Sequence, residues 1–125
     1  MKSIIVSMVA TAGLVIAGSA MAAPEVPPEA KELNCLTCHA VDHKVVGPAW
    51  NEVGKKYAGQ TKYKYSATGS NAADAKEYPL VEGLVMKVSK GGSGNWGSMP
   101  MPPNDPNGSK KEKIEKIVKF ELSLH

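Results

Sequence analysis

Residues 34–40 read NCLTCHA and hold both cysteines of a 125-residue chain with one of its three histidines. Three chemistries use two thiols at this spacing: a redox disulfide, half of a zinc site, and covalent haem attachment through C-x-x-C-H. A structural zinc ion needs about four ligands, and beyond His39 and His43 the chain offers only His125. A redox C-x-x-C belongs at a helix start that follows a strand. Here the pair falls near the end of a predicted helix, and no strands alternate with the helices. A plain disulfide stays open to an exported chain. Haem attachment uses all three residues at once. Thiols at i and i+3 lie on neighbouring parts of one helical turn. From there two sulfurs reach two vinyl groups on one porphyrin edge, and His39, next in the chain, comes under the iron as a proximal ligand.

The amino terminus reads as an export signal. Lys2 is its positive start, Ile4 to Ala17 its apolar stretch, and Ala20-Met21-Ala22 a small-x-small cleavage site. The stretch is short of the ~20 apolar residues of a comfortable span, so we expect residues 1–22 to be removed and residues 23–125 to form one domain. Haem maturation outside the cytoplasm agrees with that route.

All fifteen basic residues are lysines, and the formal net charge is +3. Without arginine or clustered basic and aromatic residues, nucleic acid is not an expected partner. A mild positive bias suits docking on an acidic protein face. A mature chain this short buries a modest core, so a bound cofactor would add substantially to it.

Past a proline-rich lead-in (APEVPP, 23–28), the periodicity predicts a helix over 29–38 and a second opened by Pro48, with Trp50, Val53 and Tyr57 on one face. Gly59 ends the second helix. Residues 60–78 are polar and read as a surface excursion, with an extended hint at Lys62-Tyr63-Lys64-Tyr65. A third helix is expected over 79–90. Ser109-x-x-Glu112 matches a capping box for a closing helix that carries Ile114, Ile117 and Val118. The fold class is therefore all-α, about four short helices joined by long loops.

Between the last two helices lies GGSGNWGSMPMPPNDPNG (91–108), too rich in Gly and Pro for regular structure and long for a loop. Met99 and Met101 sit in it among prolines 100, 102 and 103 that would hold a ligand still, whereas Met86 reads as core filler. A thioether opposite an imidazole would fill both axial positions of an iron and raise its potential. His43 reads as a solvated loop histidine and Trp50 as core.

The chain resembles a class I, monohaem cytochrome c of the short bacterial periplasmic type. The resemblance rests on CLTCH (35–39), VVGPAW (45–50), KKYAG (55–59), GSGNWGSMPMPPN (92–104) and the closing amphipathic helix, in order over most of residues 29–124. It implies the small cytochrome c fold around one covalently bound haem c. Cys35 and Cys38 would carry the thioethers and His39 would be the proximal iron ligand. Met101, between two prolines as the family's ligand is, would be the distal ligand in preference to Met99. Pro48 would offer its carbonyl to the His39 ring, Trp96 its indole N–H to a propionate, and Asn104 a hydrogen bond near the Met101 sulfur. The first and last helices would cross and pack.

The implied function is that of a soluble, monomeric periplasmic electron carrier, not an enzyme. A cytochrome bc1-type complex is the kind of donor implied. The acceptor would be a terminal oxidase, a reductase or a peroxidase. Lys44, Lys55, Lys56, Lys87 and Lys90 are candidates for the docking ring. Two other readings compete: an open-site haem enzyme or gas sensor, and a fixed subunit of a larger respiratory complex. The excursion at 60–78 is longer than in the shortest family members, and reads as solvated.

Overall fold

The structure, a computed structural model, describes Gly13 and residues 24–125. The leader expected at 1–22, Gly13 apart, lies outside the described residues. Helix α1 spans Pro28–Glu32, α2 Trp50–Tyr57, α3 Leu80–Lys90 and α4 Lys111–Leu122. Between α2 and α3, strands β1 (Lys62–Tyr65) and β2 (Lys76–Pro79) form an antiparallel hairpin. Among the described residues no helix is long and apolar enough to cross a membrane.

The predicted helix over 29–38 is broken in two. Pro28 opens α1, with Glu29 in its first turn and Lys31 in its last, as the helix dipole favours. Asn34 then takes a left-handed conformation, φ 56°, which a short amide side chain tolerates better than most residues. The turn after it, Cys35–Thr37, is a 3-10 turn. Cys38 caps that turn, its N–H donating to Cys35 O at 3.2 Å.

Helix α4 is the hub of the core. Its Ile114, Ile117 and Val118 are almost wholly buried. Ile114 and Val118 join Val53 and Tyr57 of α2 and Leu84, Val85 and Val88 of α3. Ile117 packs with Ala30 of α1, Trp50 and Leu124. The expected packing of first and last helices is therefore present. Two ion pairs flank it, Lys113 to Glu32 at 2.5 Å and Lys116 to Glu29 at 2.8 Å. Ion pairs at the surface are worth about 0–1 kcal/mol, and the Glu29 side chain is partly covered.

Residues 60–78 correct the reading of a solvated excursion. Tyr63 pairs with Tyr78 and Tyr65 with Lys76, and Tyr63 is only 4% exposed. Its ring lies against Gly83 of α3 and edge-on to Tyr57, with centroids 5.5 Å apart. Alternation did mark the strand, but burial of one face came from α3, a helix that follows it in the chain. Pro79 belongs to β2, so α3 starts one residue later than expected.

The capping box at Ser109 is not used. The Lys110 N–H instead donates to Asp105 Oδ2 at 2.9 Å, and Ser109 Oγ reaches Asp105 Oδ1 at 3.4 Å. Asp105 is 3% exposed. A buried carboxylate already turned on the helix start outcompetes the local serine for the free N–H groups of the first turn.

Candidate functional site

A cavity of about 230 Å³ opens between the C-x-x-C-H segment, α3, α4 and the 91–104 loop. One water needs ~10–15 Å³ of such space, so this void is built for something far larger. Among the residues lining it are Cys38, His39, Pro48, Trp50, Trp96, Met99 and Met101. Of the residues picked out in the sequence, Cys35 and Asn104 lie outside this lining. Cys35 packs against the Ala30–Trp50–Ile117 cluster.

His39 is held from several directions. Its backbone N–H donates to Cys35 O at 3.0 Å, the same carbonyl that accepts the Cys38 N–H at 3.2 Å to close the 3-10 turn. Its ring Nδ1 is 2.8 Å from the carbonyl oxygen of Pro48. That carbonyl can only accept, so Nδ1 carries a proton and the neutral ring presents the lone pair of Nε2. The ring stacks on Trp50 at 25° with centroids 6.1 Å apart, and Trp50 meets Phe120 edge-on at 5.9 Å. The Val46 and Gly47 N–H groups both reach back to Cys38 O, at 3.2 and 2.8 Å, which wraps this loop over the imidazole. Gly47 is required here, because a Cβ would overlap the ring at Cε1 and stand 2.9 Å from Nδ1.

Met101 is half-buried against the core cluster of α2, α3 and α4. Its backbone exchanges two hydrogen bonds with Gly92, both 2.9 Å. Met99, two residues away, is 64% exposed. Asn104 donates from Nδ2 to Val88 O at 3.2 Å and Pro102 O at 3.0 Å. Its amide thus ties the loop to α3 rather than meeting the Met101 sulfur. Trp96 lines the cavity at its open side, 38% exposed, with Lys56 Nζ 4.2 Å above its ring.

His43 and Asp42 form an exposed pair at 2.8 Å, away from this lining. Both thiols are free. Burial pushes the Cys35 thiol up, and the nearby Glu121 carboxyl adds to the shift. Among the described residues no three His, Cys, Asp or Glu side chains converge as an ion cage, so the zinc reading lacks its ligands.

Three residues of the cavity carry roles the sequence reading did not give them. Lys87, taken above for a docking residue, lines the cavity, and its Nζ donates to Gly92 O at 2.6 Å. Burial lowers its pKa. Glu121 lies on the buried stripe of α4 one turn past Ile117, where burial pushes its carboxyl up to about 8. Tyr63 reaches the cavity from the hairpin. The i, i+3, i+4, i+7 spacing of Ile114, Ile117, Val118 and Glu121 was the available signal for Glu121.

The donor set fits an iron porphyrin. One thiol, that of Cys38, lines the largely apolar cavity with the Cys35 thiol three residues before it in the chain, an imidazole is oriented through its Nδ1, and a thioether lines the same cavity. Fold and site together define a small monohaem c-type cytochrome. No protein-family model matches the chain. It is 36% identical to cytochrome c-552 of Hydrogenobacter thermophilus over 97 residues, spanning 78% of this chain and 74% of that protein. It is 38% identical to cytochrome c-552 of Nitrosomonas europaea over 97 residues, 78% of this chain and 75% of that protein. The crystal structure of wild-type cytochrome c552 from Nitrosomonas europaea superposes with a TM-score of 0.57 at 34% identity, covering 78% of this chain and 96% of that one. The chain belongs to the class I monohaem cytochromes c, electron carriers with one covalently attached haem c.

Proposed function

We propose that this cytochrome is a periplasmic one-electron shuttle with Cys35 and Cys38 as thioether anchors and His39 and Met101 as axial ligands. The observation that carries this reading is that one cavity is lined by an oriented imidazole and by a thioether whose backbone is doubly bonded to Gly92. Haem bound there would supply a ferrous–ferric couple with both axial positions filled. The Pro48 carbonyl keeps His39 in the tautomer that presents Nε2 and strengthens it as a donor. Trp50, Val53, Leu84 and Val88 keep the cavity apolar, which disfavours the more positive ferric charge and raises the potential. Lys87 and the Trp96 indole N–H line the cavity and would supply the donors to propionate oxygens. Asn104 acts one step back, by fixing the ligand loop to α3.

Val46, Trp96 and Met99 are exposed apolar residues that also line the cavity. With Lys44 beside them they form a rim for brief contact with acidic redox proteins. A cytochrome bc1-type donor and a terminal oxidase, reductase or peroxidase as acceptor suit that chemistry. Export by a leader cleaved after Ala22 would put the carrier in the periplasm, as a monomer.

The test is absorption spectroscopy of the holoprotein and of Met101→Ala and Met99→Ala. We expect the ferric sulfur-to-iron charge-transfer band, and resistance of the ferrous form to carbon monoxide, to be lost only in Met101→Ala. Loss in Met99→Ala alone would move the ligand assignment. A wild-type protein that binds carbon monoxide promptly would overturn the shuttle.

A further inference from the structure

The 91–104 loop has few apolar anchors of its own. It contains four glycines at positive φ, Gly91, Gly92, Gly94 and Gly97, and such residues have the most conformational freedom to lose on ordering. Something must hold it if a ligand is to stay on the iron. Helix α3 holds the loop's two ends, through Lys87 and Val88, and Lys56 of α2 donates to Asn95 O; four further hydrogen bonds come from the segment between α2 and α3.

Tyr65 Oη donates to Gly91 O at 3.1 Å. The Ser93 N–H donates to Ala67 O at 2.9 Å. Asn95 Oδ1 accepts from the Ser70 N–H at 2.9 Å, while Asn95 Nδ2 donates to the Tyr63 hydroxyl. The backbones also meet directly: a Cβ on Gly92 would overlap Ala67 O, and one on Gly94 would overlap Thr68 O. The tip is itself fixed, because buried Ser66 donates to Asp74 Oδ1 at 2.7 Å. Gly92, held between these contacts, is the residue that exchanges both backbone hydrogen bonds with Met101.

We propose that the β1–β2 hairpin and its tip, residues 66–75, are a brace that positions Met101, with Asn95 as its node. This rests on the reading of Met101 as the distal ligand. A competing ligand reaches the iron only in the fraction of molecules whose loop has opened. Its apparent affinity therefore scales with that fraction. Each hairpin contact makes opening rarer. The brace thus acts on the hold of the sulfur, and through it on the oxidation state that the sulfur favours.

The experiment titrates the ferric holoprotein with imidazole, follows the sulfur-to-iron band, and measures hydrogen exchange at the Met101 and Ile117 amides. Three variants are compared with wild type: Asn95→Ala, Tyr65→Phe, and a shortened hairpin in which Asn-Gly replaces residues 66–75. A two-residue Asn-Gly turn suits the Tyr65–Lys76 end of the ladder. The shortened hairpin should bind imidazole about tenfold more tightly, as a tenfold larger open fraction requires. Asn95→Ala and Tyr65→Phe should fall between it and wild type. Met101 amide exchange should quicken in the same order while Ile117 exchange stays put. Unchanged imidazole affinity in all three variants, or equal quickening at Ile117, would remove the brace and leave the axial assignment standing. A wild-type protein without the sulfur-to-iron band would remove both.

Discussion

The carbonyl oxygen of Pro48 accepts the Nδ1 proton of His39 at 2.8 Å, and the residue before that proline has no side chain because the imidazole occupies its place. Gly47→Ala would push a methyl group into the ring. Overpacking at a filled site costs about 1–3 kcal/mol. The unfolding free energy should fall by that amount, read as a lower denaturant midpoint, and the ferric spectrum should report a reoriented imidazole. An unshifted midpoint with an unchanged spectrum would mean that the 40–48 loop yields at no cost.

Glu121 makes stability depend on pH. Its folded pKa is about 8, against about 4.3 for an ordinary glutamate. Between those values the native state keeps a proton that the unfolded chain releases. The native state is therefore favoured less as pH rises through this window, and the loss levels off above it. Urea midpoints measured across the window should fall in the wild type. They should fall less steeply in Glu121→Gln, which carries no proton to lose.

The start of α4 distinguishes two caps. Asp105→Ala removes the acceptor of the Lys110 N–H and should cost about 0.5–2 kcal/mol, the usual range for a lost N-cap. Ser109→Ala should cost less, since its hydroxyl reaches only Asp105. Equal losses in thermal unfolding would restore the serine capping box.

Lys87 places a half-buried positive charge at the cavity wall. Positive charge there opposes the ferric state. Lys87→Gln should lower the midpoint potential, by ~40 mV if the charge contributes about 1 kcal/mol. Voltammetry of the holoprotein measures this directly, and an unchanged potential would place the ammonium outside the field of the iron.

The reach of the sequence differed from element to element. The family was legible because its marks are local: C-x-x-C-H needs only four covalent steps, and P-M-P needs two. Helices α2, α3 and α4 were legible from periodic apolar residues, since each buries one stripe. The break at Asn34 was missed because the left-handed conformation of a single asparagine leaves no trace in periodicity. The buried cap was missed because Asp105 works through its placement against Lys110 and Ser109, and a matching S-x-x-E stood beside it as a decoy. Tyr63 showed its strand by alternation, while its burial needed α3 to be laid across it.

The sequence by itself determined the chemistry of this protein: two thiols, an imidazole and a proline-flanked thioether, each set by neighbours along the chain. Only the tertiary structure decided that Lys87 faces the cavity, that Glu121 is dry, and that the hairpin holds the 91–104 loop. Those properties depend on groups far apart in the chain. Burial and long-range hydrogen bonds exist only once α3, α4 and the hairpin have closed around the same space.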